Sequence, residues 1–286
     1  MEEKRALAAV TAAFLLASCG GGDGGPTAED TRALTGSGPP LETAADQLAR
    51  MAGIVSRSDS VVVSTWYGET SHPEFPAFRI PASCSGTTCT LDDPESGLSL
   101  TVEIDEVGFD AALARAVLAK HGITMVDVRD GADRTYASVM NHGWFAVTSG
   151  RETLEGVDAW HRISSAAGDL TGFAPGGSAT WRGIMAGVPV DASGRGEFLQ
   201  GDATITYHLS AGSLDAAFTG IRNISRNRDH SVPSVRFEDV HVSADGTFRA
   251  GIVGNRIQGG FHGPRHAETA GIFEQRGIVG SFGAKR

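Results

Sequence analysis

The 286-residue sequence predicts a mainly β protein, with an eight-stranded antiparallel soluble β-barrel at its C-terminal end and a small α+β domain before it. Three observations predict this. Helical periodicity is confined to the first half of the chain; from about residue 175 onward, short alternating segments recur with turn residues between them. Each of those segments carries one aromatic residue with small residues two positions away, the filling pattern of a narrow barrel. The composition is that of an ordinary globular protein: 41% hydrophobic, 20% charged, mean hydropathy −0.10. Its 34 acidic and 24 basic residues give a net charge of −10, which argues against a nucleic-acid partner. No apolar run approaches the ~18 residues of a membrane-spanning helix.

The elements follow in order. Lys4 and Arg5 precede the apolar stretch Ala6 to Ala17, and Leu16-Ala17-Ser18 precedes Cys19. That is the layout of a secretory signal peptide, residues 1–18. Cysteine directly after this triplet resembles the lipobox of bacterial lipoproteins. The resemblance implies cleavage before Cys19, diacylglycerol on its sulfur and a lipid anchor. With Gly20 following, it implies the outer membrane, possible surface exposure included and a periplasm-facing leaflet left open. Residues 19–40 are rich in glycine and hold almost nothing that can be buried, so they read as a flexible tether.

Behind the tether, Leu41, Ala44, Ala45, Leu48, Met51, Ala52 and Val55 repeat at helical spacing, and Val61 to Tyr67 reads as a strand. A second helix is predicted over Phe109 to His121, with Gly122 as its cap. Strand-like runs lie at Leu98 to Ile104 and Ile123 to Val128. Residues 41–150 are therefore read as the α+β domain and 151–174 as a linker. Cys84 and Cys89 bracket a four-residue Ser/Gly/Thr turn, which in an exported chain reads as a local disulfide.

Residues 175–286 are read as the barrel. Its predicted strands are 179–188, 201–209, 214–222, 235–243, 246–253, 256–263, 268–275 and 277–285. Their aromatics are Trp181, Tyr207, Phe218, Phe237, Phe248, Phe261, Phe273 and Phe282. On the opposite face of the second strand, Asp202, Thr204, Thr206 and His208 predict a wet exterior, the reverse of a membrane-spanning barrel.

Gly260-Phe-His-Gly-Pro-Arg-His-Ala-Glu268, Ala270-Gly-Ile-Phe-Glu274 and Gly280-Ser-Phe-Gly-Ala-Lys-Arg286 resemble the C-terminal signature of the transferrin-binding protein B-like β-barrel surface lipoproteins. Trp144 to Val147, Ala179 to Gly187 and Gly201 to Tyr207 extend the match over about 139–286. The resemblance implies a lipid-anchored N-terminus, a "handle" domain and an eight-stranded barrel, and a role in capturing iron-carrying, haem-carrying or other proteins. The transferrin receptors are bilobed; this chain has room for one handle and one barrel, which argues against transferrin itself. Ala270 stands where the family usually has glycine, and His262 where it often has tyrosine. The matched positions build scaffold, so they name no ligand contact.

No catalytic constellation is legible. Gly176 to Thr180 lacks the Gly-x-Ser-x-Gly elbow, and no Gly-x-Gly-x-x-Gly opens a helix. His262 and His266 are four apart, but Pro264 breaks any helix that would align them for a metal. The chain is expected not to be an enzyme and to need no cofactor or metal. The long loops Pro189 to Gln200 and Asn223 to Ser234 leave the same barrel end, and Arg222, Arg226, Arg228 and His230 make the second one basic. That rim is the candidate partner-binding site. The expectation is an outer-membrane receptor for a protein or metal-bearing ligand, with an outer-membrane transporter as a further partner. The alternatives are a structural module of the envelope and a carrier of a hydrophobic ligand in the barrel.

Overall fold

The structure, a computed structural model, describes residues 43, 46, 47, 50 and 54 and the stretches 60–70, 78–85, 88–93, 98–103, 114–154, 157–191, 194–252 and 254–286. The expected signal peptide, Cys19 and tether lie outside the described residues.

Two antiparallel sheets are stacked. The first runs β1 (Ser60–Thr70), β2 (Phe78–Ser85), β3 (Thr88–Asp93), β4 (Leu98–Glu103), β5 (Ala114–Lys120), β6 (Ile123–Asp130), β7 (Asp133–Val139), β8 (Gly143–Leu154) and β9 (Val157–Asp169). Its order is β4-β3-β2-β1-β9-β8-β7-β6-β5, two meanders joined where β1 pairs with β9. Of the first expected helix, the described residues Asp46, Gln47, Arg50 and Ile54 are helical. Thr43 accepts the Asp46 N–H at 3.2 Å and donates its hydroxyl to the Asp46 carboxylate, a capping arrangement. Gln47 and Arg50 then bond both backbone groups of Val139, fixing this segment on the first sheet.

Two expectations fail here. Of the helix expected over 109–121, the described residues from 114 on form the edge strand β5, turned into β6 by His121 and Gly122, both at positive φ, a two-residue hairpin turn. The linker over 151–174 is the end of β8 and all of β9, the latter hydrogen-bonded on both sides. Ser164, Ala166 and Ala167 in β9 read as loop composition, yet they are small because both faces of the strand are covered.

The second sheet holds β10 (Ala179–Pro189), β11 (Leu199–His208), β12 (Ser213–Asn223), β13 (Arg228–Asp229), β14 (Ser234–His241), β15 (Thr247–Ile252), β16 (Asn255–His262), β17 (Glu268–Gln275) and β18 (Ile278–Lys285). Apart from the two-residue β13, these are the eight expected strands. They follow the order β14-β12-β11-β10-β18-β17-β16-β15. All eight expected aromatics sit in one buried cluster, with Phe218 stacked on Phe273 at 4.4 Å and tilted against Phe282 at 5.1 Å. Register explains the glycines between them: Phe248 faces Gly259, Phe282 faces Gly271 and Phe273 faces Gly280. A Cβ on Gly280 would lie 2.4 Å from the Phe273 ring, so each ring lies over a backbone with no side chain.

The expected sealed cylinder is not sealed, and its outside is not all wet. No ladder joins β14 to β15. The seam is held by the Val242–Phe248 bridge, by Ser243 N–H donating to Thr247 O at 2.8 Å, and by the Gln275 amide reaching Arg236 O at 3.1 Å. Asp239 (φ 54°) lies in the bulge of β14 against β12, and Gly251 (φ 85°) leaves the extended region in β15. β11 alternates between buried and half-exposed residues as expected, whereas β17 and β18 are buried on both faces over seven residues. Ile184, Ala186, Val188, Ala270, Ile272 and Val279 point out of the barrel into a second core with Ile123, Met125, Tyr136, Phe145 and Val147 of the first sheet. The barrel therefore has one dry wall, and the first sheet lies on it.

Cys84 stands directly opposite Cys89 between β2 and β3. Such a pair has a Cα separation of about 4.5–5.5 Å, within disulfide range. The disulfide expected from the sequence is tested by mass spectrometry of the oxidised, alkylated chain: both cysteines unlabelled until a reductant is added would support it, and labelling without reductant would contradict it.

Candidate functional site

Strand direction places the loops 189–199 and 223–234 at one barrel end, the rim, and the turns 208–213, 241–247 and 262–268 at the other. At the rim the two long loops are joined. Glu197, only 9% exposed, takes the Arg226 guanidinium and the Asn223 amide. Asn223 in turn accepts the Arg226 N–H at 3.0 Å, and Ile224 N–H donates to Phe198 O at 2.9 Å. The second loop is a hairpin, because β13 pairs Asp229 with Arg222 and Arg228 with Asn223.

The first sheet braces both loops from the side. Arg134, held by Asp127 at 2.6 Å, lies 4.8 Å over the Phe198 ring and donates to Ser225 Oγ at 3.1 Å. Arg195 lies 3.9 Å over the Trp160 ring of β9, and buried Arg162 donates to Asp191 O at 3.3 Å. Burial pushes the neighbouring Tyr136 phenol well above its ordinary pKa, so it remains a neutral donor to Gln200.

Between the loops lies a cleft of about 360 Å³, with Asn223, Arg226, Arg228 and His230 on one wall and Pro189, Asp191 and Glu197 on the other. The four predicted rim residues thus do different work. Arg226 neutralises Glu197 and ties the loops together. Arg222 lies outside the cleft lining and pairs at 3.3 Å with exposed Asp229, which lines it. His230 Nδ1 accepts the Val232 N–H at 3.2 Å and shapes its own turn. Arg228 is exposed in the cleft and has no acidic side chain in salt-bridge range among the described residues. Sequence reading missed the bracing by Arg134, Trp160 and Arg162, which lie on β7 and β9, far away along the chain.

The far end accounts for the signature residues. Glu268 accepts the backbone N–H groups of Asn141 (3.0 Å) and His142 (2.7 Å), clamping the turn between β7 and β8 to the barrel. Trp181 Nε1 donates to His266 O at 2.7 Å, and His266 Nε2 lies 2.8 Å from Phe173 O. Gly263 (φ 71°) packs so closely on His142 that a Cβ would come within 2.3 Å of its ring. His262 is buried against Gly168, and burial, reinforced by the neighbouring His142, brings its pKa down to about 4 against a weaker opposing backbone hydrogen bond at Ala270. His262 and His266 serve packing and turn bonds, and no group of three or more metal-ligating side chains forms among the described residues.

No protein-family model matches the chain, and no curated protein matches it. Among solved structures it is similar to a doubly substituted transferrin-binding protein B from Haemophilus parasuis, at 12% identity and a TM-score of 0.37 over 79% of this chain and 44% of that one. The protein from serogroup B Neisseria meningitidis matches at 16% identity and 0.34, over 79% and 43%. A candidate outer membrane protein of Bacteroides fragilis matches at 11% and 0.28, over 86% and 100%. The likeness is one of fold. The chain spans less than half the length of these transferrin-binding protein B structures.

Proposed function

We propose that this chain is a lipid-tethered binding protein of the cell surface that captures a protein ligand at its barrel rim, without catalysis. The observation that carries the reading is the cleft itself. Two loops long enough to be mobile are instead locked to each other through Glu197, Asn223 and Arg226, and to the first sheet through Arg134 and Arg162. Ordering before binding removes an entropic cost that a floppy loop would incur on contact. Arg228 then offers a guanidinium fork to a carboxylate of the partner. A metal- or haem-bearing protein, handed on to an outer-membrane transporter, is the partner class the signature residues suggest. The carrier reading is disfavoured, because the ring cluster from Trp181 to Phe282 occupies the barrel interior.

The test uses the immobilised full chain and spent medium from iron-poor culture, with bound proteins identified by mass spectrometry. Arg228→Glu is expected to lower capture of the recovered protein about tenfold or more, since truncating one partner of a desolvated charge pair costs about 2 kcal/mol or more. Equal capture by the wild type and Arg228→Glu would remove the proposal. Arg226→Glu is a poor probe of binding, because it sets a second carboxylate against Glu197. It is expected to lower stability by about 3 kcal/mol, read by urea unfolding.

A further inference from the structure

We propose that the barrel end opposite the rim is a membrane-resting face that seats on an anionic lipid surface. Four turns or segments make up this end: 170–178 before β10, 209–212, 242–246 and 263–267. They are tied to one another, since Leu209 N–H donates to Ser178 Oγ at 3.1 Å, Ala174 N–H to Ala244 O at 3.2 Å, and His266 Nε2 lies 2.8 Å from Phe173 O. Two of the four large hydrophobic side chains most exposed among the described residues are here, Phe173 at 56% and Leu209 at 49%. Beside them stand exposed Arg265, held outward at φ 56°, and exposed Arg286, whose N–H bonds Ala267 O at 3.0 Å.

The two arginines outnumber the acidic side chains of the four segments. Asp245 is the one acidic residue there; Thr247 N–H (2.9 Å) and Thr247 Oγ1 (2.7 Å) bond its carboxylate and hold its pKa below the ordinary carboxylate range, so it offsets one of the two positive charges. Glu268 is buried on the Asn141 and His142 amides. Aromatic and aliphatic tips flanked by arginine match a headgroup layer of anionic lipid, at one end of a chain whose net charge of −10 disfavours such a contact elsewhere.

Where the rest of the chain joins the body argues for lipid over other occupants. The first described residues, Thr43 to Arg50, meet the body at Val139, just before the turn that Glu268 clamps to this barrel end. The segment ahead of them carries Cys19 within its lipobox-like sequence. Only the residues from 20 to 42 separate Cys19 from Thr43, a link short enough to hold this end close to a lipid surface and let a weak patch suffice. The rim then points away from the membrane.

The experiment is co-sedimentation of the full chain with phosphatidylcholine vesicles with and without phosphatidylglycerol, run against three variants of unchanged circular dichroism. Wild type is expected to prefer the anionic vesicles. Arg265→Glu with Arg286→Glu is expected to abolish that preference, lowering binding about tenfold or more. Phe173→Ser with Leu209→Ser should lower binding to both vesicle types about fivefold, and Arg228→Glu at the rim should change nothing. As a second measurement, Phe173→Trp emission should shift to the blue on anionic vesicles and be quenched by brominated lipid. Equal binding by all variants, a loss in Arg228→Glu as large as in the Arg265/Arg286 pair, or unquenched Trp emission would overturn the proposal. None of these readouts depends on a rim ligand.

Discussion

Phe218→Ala is expected to lower the unfolding free energy by about 3–5 kcal/mol, among the largest effects available to a single substitution in this chain. Phe218 sits at the centre of the ring cluster. It stacks on Phe273 at 4.4 Å, meets Phe282 at 5.1 Å and touches the edge of Phe237 at 6.5 Å. Its cross-strand neighbours Ala203 and Val235 offer little bulk to refill the space. The rings rest on glycine backbone held by ladders on both sides, so the wall can collapse inward only by breaking hydrogen bonds. Urea denaturation of wild type and variant gives the number directly. A loss below about 1 kcal/mol would mean the rings do not form a packed interior.

Acid destabilisation is the second large effect. The His262 imidazole is fully buried and its pKa falls from 6.5 to about 4 in the folded chain. The unfolded chain therefore binds the proton first. Folding stability is whole above pH ~6.5, declines as pH falls through the interval, and has lost its His262 share near pH 4. A depression of this size corresponds to roughly 3 kcal/mol. Of the groups around the ring, His142 acts in the same direction, whereas the carboxylates of Asp169, 3.8 Å from His142, and of Glu268, opposite His262 in the β16–β17 ladder, favour the imidazolium and work against it. Stability measured in urea from pH 7.5 to 4.5 should fall more steeply for wild type than for His262→Gln. Parallel curves would show that another group carries the titration.

Much of the barrel was legible because its period is short and its chemistry repetitive. One aromatic per strand with glycine or alanine on the same face predicts both the strand and its inward side, and Trp181 through Phe282 obey that rule. Strand count does not give closure. Nothing local in the sequence announces that β14 and β15 would lack a ladder between them. The dry wall was visible in principle, since Ile184 to Val188 and Ile278 to Ala284 run nearly without polar residues, whereas β11 alternates. Such runs mark a strand buried on both faces.

The failure at β5 is instructive. Its register with β6 shifts between Ala116 and Leu118. One extra residue in a strand turns a period of two into a spacing of three, so Val117 and Lys120 imitate a helix. Gly122 does take a positive φ, but hairpin turns and helix caps make the same demand. At the rim, the sequence singled out Arg222, Arg226, Arg228 and His230. What it could not show is that Glu197, across a loop, would claim Arg226 and leave Arg228 as the exposed cation of the cleft.

The central claim is that barrel and first sheet share one core, which holds the rim loops in place and sets the rim opposite the end where Thr43 to Arg50 join the body. Its most direct test is a single nuclear Overhauser contact. Phe145 of β8 packs flat on the backbone of β18, where a Cβ at Gly283 would lie 2.4 Å from its ring. Strong cross-peaks between the Phe145 ring protons and both Gly283 α-protons are predicted. Their absence in the folded chain would mean that the sheet and the barrel do not pack as one body.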